Sequence, residues 1–350
     1  MRIVHLVWGL SVGGIQTMLV DIANEQVKNH HVAIFVVNDI VDEVLISNLD
    51  KRIKLVCIGR QPGSRSYLPI IKLNFKIRAF HPDIIHCHED KLTKLIIGKI
   101  CPLIRTIHNT HSSSEEYPKF KRLCCISKAV KNYTAKQGFS DGVVVYNGIH
   151  TDNISKRTMP FLLSKGEPCK CVCVGRLQPM KGQIILIEAF NILVNQRQKT
   201  GLSLDLIGEG ESKGELQAMV SEYGLKSYVH FLGSLPREMF YPKLKDYDLF
   251  ILPSISEGFG LTLVEACAAK IPVITCNLEG PMEIISNGRY GRSFKVGDAN
   301  DLADVLICHI EQGVKVDQIE EAYNYVRTHF DVKVTASEYV KQYELVMDHK

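Results

Sequence analysis

The feature that most constrains this 350-residue chain is a rhythm of short apolar runs alternating with amphipathic stretches, which starts at the N-terminus and restarts after a break at Cys169. "RIVHLVW" is followed by a glycine turn, by "IQTMLVDIANEQVKN" and by "HVAIFVVN", which reads as strand, helix, strand. "PDIIHCH", "LIRTIHN" and "KRLCCIS" supply further strand ends. Ser127 stands where an N-cap belongs for the helix "KAVKNYTAKQG", and "GVVVYNGI" closes the half. From about Asn147 to Pro168 the pattern fades, so this stretch is the expected linker. It restarts with the strand "CKCVCVGRL", a helix through "GQIILIEAFNILVNQ", the strand "LSLDLIG" and a helix from Gly214 to Tyr223. The strands "YVHFLG", "YDLFILPS", "KIPVITC" and "GRSFKV" follow between helices. Such alternation predicts an α/β fold with parallel sheets covered on both faces. Two halves of similar size predict two Rossmann-like parallel-sheet domains facing each other across a cleft, with ligands at the carboxyl ends of the strands.

Composition narrows the class. Hydrophobic residues make up 45% and charged residues 23%, as in a soluble globular protein. No apolar run approaches the ~20 residues of a membrane span. The first apolar stretch, Ile3 to Leu10, reads as a strand rather than a leader. Eleven cysteines without framework spacing suggest reduced thiols in a cytoplasmic protein. Cys169, Cys171 and Cys173 alternate as one face of a strand does. His86-Cys87-His88 invites a metal reading, but no second ligand cluster has zinc-like spacing, so no metal site is expected. Residues 1–150 hold 20 Lys/Arg against 12 Asp/Glu, whereas residues 151–350 hold 22 against 26. A basic first half suits an anionic membrane surface, with ordinary surface charge as the plain alternative. No nucleic-acid motif is present, so no nucleic-acid partner is expected.

Three stretches carry candidate chemistry. In "WGLSVGGIQ", Gly13 and Gly14 follow a strand and precede a helix, where bare backbone can approach an anion. The spacing is not that of a nicotinamide-dinucleotide site. In "VGRLQPMKG", Arg176 and Lys181 lie five apart on a loop after a strand, a pairing that suits a diphosphate. In "EGFGLTLVE", Glu257 and Glu265 stand eight apart with Gly258 and Gly260 between them. Both glycines are expected to turn the backbone tightly after the strand "DLFILPS". A helix then starts near Leu261 with free amides at Gly260, Leu261 and Thr262. That order fits a nucleotide sugar: Glu257 on the sugar, the amides on the diphosphate, Glu265 on the ribose. A structural loop with a helix-dipole glutamate is the plainer alternative.

Taken together, "GLSVGGIQ", "PDIIHCH", "TIHN", "YNGI", "VGRLQPMKGQ", "LIGEG", "FLGS", "LFILPSISEGFGLTLVEACA", "PVIT" and "GRSFKVGD" resemble, in order and across nearly the whole chain, the retaining glycosyltransferases of family 4 with the GT-B fold. The resemblance implies that residues 1–160 bind the acceptor, that 161–330 bind the nucleotide-sugar donor, and that 331–350 form a helix packing back toward the first domain. It implies that Arg176 and Lys181 hold the donor diphosphate, that Glu257 and Glu265 hold sugar and ribose, that His108 in "TIHN" reaches the transferred sugar, and that Gly14 lies beside the phosphates. It implies transfer of a hexose or N-acetylhexosamine from a donor, expected to be UDP-linked, to a saccharide or lipid-linked saccharide. Retention follows from attack on the leaving-group face. No cofactor or metal is implied, and Asp246-Tyr247-Asp248 reads as a strand start rather than a metal motif. The cell-surface polysaccharides made this way place the enzyme in the cytoplasm, at the inner-membrane face. In that setting "SYLPIIKLNFKIRAFHP", which interleaves apolar residues with Lys72, Lys76 and Arg78, reads as an interfacial helix or as one docked on the first sheet. Two departures stand out: Lys270 replaces a usual glycine in "ACAAKIPVI", and His150 an acid after "NGI". A nucleotide-sugar epimerase of the same fold and a noncatalytic saccharide-binding relative are the alternatives.

Overall fold

The computed structural model describes residues 1–11, 13–158 and 169–348. It divides into two units, Met1–Ile149 with Phe330–Lys350, and His150–His329. In the first, strands β1 (Arg2–Val7), β2 (His31–Asn38), β3 (Lys54–Arg60), β4 (Ile84–Cys87), β5 (Leu103–Ile107), β6 (Arg122–Cys125) and β7 (Val143–Val144) alternate with helices α1 (Gly14–Gln26), α2 (Glu43–Ser47), α3 (Leu68–Phe80) and α4 (Lys128–Lys136). All pairs are parallel, in the order β3-β2-β1-β4-β5-β6-β7. The strand order reverses between β1 and β4, which opens a crevice at their carboxyl ends. Ser127 caps α4 as its sequence position predicts, its Oγ accepting from the Val130 amide at 3.1 Å.

The second unit has strands β8 (Cys169–Val174), β9 (Leu202–Ile207), β10 (Val229–Gly233), β11 (Leu249–Leu252), β12 (Val273–Cys276) and β13 (Arg292–Phe294). They alternate with α5 (Gln183–Asn191), α6 (Lys213–Glu222), α7 (Arg237–Leu244), α8 (Leu261–Ala268), α9 (Glu279–Ile284), α10 (Ala299–Gln312) and α11 (Val316–His329). Again all strands are parallel, in the order β10-β9-β8-β11-β12-β13, so the reversal falls between β8 and β11. Cys169, Cys171 and Cys173 are buried in β8, and all eleven cysteines are free thiols. The helix expected through Gln196 ends at Asn191 and widens into a π-helical turn, Ile192–Gln196. The Arg197 amide there donates to Ile192 O, five residues back, at 3.0 Å, and Ile192, Leu193 and Val194 are all buried.

A last helix, α12 (Val332–Asp348), belongs to the first unit and packs on α1. The chain leaves and re-enters that unit at one place. The Ile149 amide donates to Phe330 O at 3.0 Å, and the Val332 amide donates to Ile149 O at 2.9 Å. The division therefore falls at 149/150 rather than at 160/161. Part of the expected linker is also ordered. The Arg157 amide bonds Ala269 O at 3.0 Å, and its guanidinium pairs with Asp248 at 3.0 Å, so this stretch is anchored on the second unit. Residues 159–168 of that linker lie outside the described residues. Counted by units, the basic excess persists, with 23 Lys/Arg against 16 Asp/Glu in the first.

Lys270 does occupy a left-handed position, with φ 58°. Its Nζ donates to both carboxylate oxygens of Glu320, at 2.6 and 2.7 Å, and lies 4.7 Å from the Tyr323 ring centroid. The side chain thus offsets a backbone cost of roughly 1 kcal/mol. Lys270→Ala keeps the strained backbone and loses both contacts, each worth up to about 1 kcal/mol. Lys270→Gly loses the contacts and the strain together. Urea unfolding is expected to rank alanine below glycine at this position, and an alanine variant as stable as the glycine variant would contradict the account.

Candidate functional site

The loops at the reversal point of the second unit bring the predicted residues together. Arg176 and Lys181 follow β8, and Glu257 follows β11. Lys181 Nζ donates to Glu257 Oε2 at 2.7 Å, and the buried Ser254 hydroxyl donates to the same oxygen at 3.4 Å. Two backbone facts make this possible. The Ile255 amide donates to Met180 O at 2.9 Å, which joins the loops directly. Gly182, at φ 68°, lies so close that a Cβ there would stand 2.0 Å from the Pro253 carbonyl oxygen. Arg176 is exposed, and among the described residues its guanidinium has no ion-pair partner. Its carbonyl accepts from the buried Gln183 amide at 3.1 Å.

The rest of "EGFGLTLVE" follows from the same turn. Phe259 is buried and anchors the loop, and Gly260 at φ 108° starts α8. Gly258 does not take a positive φ, so only one of the two glycines makes the tight turn. Gly260, Leu261 and Thr262 supply the first amides of the helix, where the dipole favours negative charge. Glu265 is buried one turn in, and the Tyr241 hydroxyl of α7 donates to its Oε1 at 2.9 Å. Sequence reasoning missed Tyr241, which reaches Glu265 from another helix, and Ser254, which stands three residues before Glu257 in the same loop. Asp248 accepts from the Lys170 amide at 2.9 Å besides pairing with Arg157, and the Tyr247 hydroxyl donates to Asp205 at 2.8 Å. Tyr247 and Asp248 of the DxD-like triplet are thus committed to the start of β11.

Gly14 and His108 belong to the first unit. Gly14 opens α1, and a Cβ there would meet nothing within 4 Å, so packing does not require glycine. Beside this turn, Glu89 accepts from the Trp8 amide at 2.6 Å, and burial raises its carboxyl above the usual range. His108 follows β5, with neither ring nitrogen partnered. Burial, and then the Arg105 guanidinium, push it down to about 3. Arg105 is itself buried beside Asp90 and the Tyr117 ring.

A histidine cluster lies on the face of β1 and β4. His5 pairs in register with His86, and His88 follows two residues on. Ligand atoms of the three lie within 4.8 Å of one another, so His5, from 81 positions upstream, supplies the third ring that local spacing could not reveal. Hydrogen bonds occupy most of these atoms. His5 Nδ1 meets His88 Nε2 at 3.0 Å, and His5 Nε2 meets Gln26 Oε1 at 2.8 Å. His86 bonds the Tyr343 hydroxyl and Thr106 Oγ1, both at 2.7 Å. One nitrogen, His88 Nδ1, has no partner, whereas a zinc site needs at least three open lone pairs.

Burial lowers His5 to about 4 and holds His86 and His88 well below the usual histidine value, beside His108 at about 3. These rings are neutral in the fold and charge on unfolding once pH falls below about 6.5. The unfolded chain then binds more protons, so stability falls as pH drops from 6.5 toward the folded values. The slope is about 1.4 kcal/mol per pH unit for each histidine held neutral. Calorimetry is expected to show a markedly lower Tm at pH 5.5 than at pH 7.5, and equal values would rule out neutral buried rings.

Two parallel-sheet units, one carrying a Lys–Glu loop pair beside a glycine-started helix, match known sugar-transfer families. Residues 12–153 match the model of Glycosyltransferase Family 4, and residues 155–325 match that of Glycosyl transferases group 1. The chain belongs to the family 4 glycosyltransferases and has the GT-B fold. It is 25% identical over 282 residues to a phosphatidyl-myo-inositol mannosyltransferase of Mycobacterium leprae, covering 75% of this chain and 74% of that one. It is 29% identical over 181 residues to an N-acetylgalactosamine-N,N'-diacetylbacillosaminyl-diphospho-undecaprenol 4-alpha-N-acetylgalactosaminyltransferase of Campylobacter jejuni, covering 51% and 46%. Among solved structures it resembles Anabaena HepE in complex with UDP and glucose, with a TM-score of 0.80 and 21% identity, covering 98% and 99%.

Proposed function

We propose that this glycosyltransferase moves a hexose or N-acetylhexosamine from a UDP-sugar to a saccharide or lipid-linked saccharide in cell-surface polysaccharide synthesis, with retention and without a divalent metal. The second unit binds the donor and the first the acceptor. The observation that carries the reading is the Lys181–Glu257 contact at the strand-order reversal, beside the start of α8. An ammonium has three donors, and Lys181 uses one on Glu257. It can therefore face the sugar carboxylate on one side and the diphosphate on the other, with Arg176 forking across phosphate oxygens. These cations stabilise the charge that grows on the leaving diphosphate. Glu265, oriented by Tyr241, takes the ribose hydroxyls, and Gly14 and His108 are the first unit's candidates for phosphate and sugar. The mannosyltransferase and undecaprenol-linked names among the relatives support the sugar and lipid classes, and the UDP bound to HepE supports the nucleotide.

A screen of UDP-sugars scored by UDP release, repeated after dialysis against EDTA, tests donor and metal independence. Activity restored only by magnesium or manganese would reverse the latter. Arg176→Ala and Lys181→Ala are each expected to cost on the order of 2.7–4 kcal/mol in kcat/KM. The two glutamates should fail differently. Glu265→Ala weakens UDP itself by ~1–3 kcal/mol, the range for a hydrogen bond to a charged group. Glu257→Ala binds UDP normally and transfers sugar poorly. Calorimetry with UDP beside steady-state kinetics separates them, and near-wild-type kcat/KM across all four variants would refute the site.

Helix α3 supports a membrane-facing acceptor. It buries Leu73 and Ile77 on the sheet and leaves Tyr67, Leu68, Ile71 and Phe75 exposed at 77, 75, 57 and 73%. Lys76 and Arg78 lie on the same helix of a unit with net basic charge. An anionic bilayer carrying the lipid-linked acceptor is the occupant that both features fit, and the site of action is then the cytoplasmic face of the inner membrane. No helix among the described residues is long and apolar enough to cross a membrane. Flotation with phosphatidylglycerol vesicles is expected to carry the wild type and to lose Leu68→Ser/Phe75→Ser. Equal flotation of both would count against this face.

A further inference from the structure

The first unit has a strand-order reversal of its own, between β1 and β4, and two half-buried residues that stand on it are tied together. Trp8 directly follows β1, and Glu89 lies two residues past β4. The Trp8 amide donates to Glu89 Oε2 at 2.6 Å, and its indole Nε1 donates to Asp90 O at 2.8 Å. The Arg60 guanidinium, which donates to Asn38 Oδ1 at 3.3 Å, lies 5.8 Å from the indole centroid. Backbone, ring edge and ring are thus all held, yet the side chain stays half-exposed. A side chain ordered at the surface gives up rotamer freedom without the full return of burial, and a ligand laid on it would supply the rest.

Glu89 is short of donors. An ionised carboxylate offers about four lone-pair sites. Its Oε2 takes the Trp8 amide, whereas Oε1 has only the Gln16 side-chain amide at 3.4 Å, a long contact. Both donors are neutral, and burial, opposed only by the Trp8 amide, raises the carboxyl above its usual range. A carboxylate in that state accepts further hydroxyls well and repels anions, while the indole beside it suits C–H bonds. Hydroxyls at the rim and C–H bonds on the faces are what a neutral sugar ring presents. A strand-order reversal is also where ligands of a parallel sheet sit.

We propose that Trp8 and Glu89 form a subsite of the first unit for one ring of a neutral saccharide, which lies against the indole and donates hydroxyls to the carboxylate. That this saccharide is the acceptor rests on the proposed function. The competing account is a carboxylate that does no more than cap the Trp8 amide.

Trp8 is the single tryptophan of the chain, so its emission, excited where tyrosine does not absorb, reports on this place in the unmodified protein. The probes are the methyl glycosides of glucose, galactose, N-acetylglucosamine and N-acetylgalactosamine, with that of glucuronic acid as the anionic control. At least one neutral glycoside is expected to shift the emission saturably, and the glucuronic acid glycoside to bind about tenfold more weakly or worse. Glu89→Gln keeps an acceptor for the Trp8 amide and loses the charge. It is expected to weaken the tightest neutral glycoside about tenfold without a loss of Tm. No saturable shift with any neutral glycoside, equal binding of the anionic one, or wild-type affinity in Glu89→Gln would overturn the proposal. A wild type that binds a glycoside at Trp8 but releases UDP from no UDP-sugar sinks the proposed function and leaves the saccharide subsite standing. An active wild type whose emission never shifts sinks the subsite alone.

Discussion

The approach of Gly182 to the Pro253 carbonyl is the contact on which the second unit's chemistry depends. It brings the loop after β8 against the loop after β11 closely enough for the Ile255 amide to bond Met180 O and for Lys181 to reach Glu257. Neither loop would hold its charged residue in place alone, since loops of this length are mobile unless tied. The tie is made of backbone, so its geometry tolerates change in the side chains around it but not a Cβ at position 182. The strand order supplies the rest. The reversal between β8 and β11 makes these two loops neighbours, although 75 residues separate Gly182 from Glu257.

Much of this was legible in the sequence, for physical reasons that differ by residue. The parallel units could be read because buried parallel strands are nearly continuous apolar runs, and the runs restart after a break. The Ser127 cap and the start of α8 could be read because caps and glycine starts are local. What could not be read depended on long-range neighbours. Tyr241 meets Glu265 from another helix, and His5 joins His86 through strand register. The unit boundary was misplaced because two short backbone bonds, from Ile149 to residues flanking Asp331, decide it. The π-helical turn after α5 escaped because periodicity alone does not reveal a one-residue widening.

The first unit spends its interior differently. Its core carries a polar seam of three imidazoles, a glutamine, a threonine and two tyrosines. Apolar packing would hold β1 and β4 together more simply, but a hydrogen-bonded network also favours one arrangement of its members. Gln26, donating to Tyr343 and accepting from His5, sets the direction of the bonds that run through His5 to His88. Such a seam ties ring orientation at the strand ends to the core beneath it.

Two of those partners, Tyr339 and Tyr343, come from α12, which the ribosome makes after the whole second unit. The first unit is therefore discontinuous, and the second is an insertion within it. During synthesis the second unit has all its strands and helices once His329 has emerged. The first, although begun earlier, must wait with His86 and Thr106 lacking their phenol partners until α12 arrives. Order of translation and order of completion are reversed between the two units, so the one begun first is completed second.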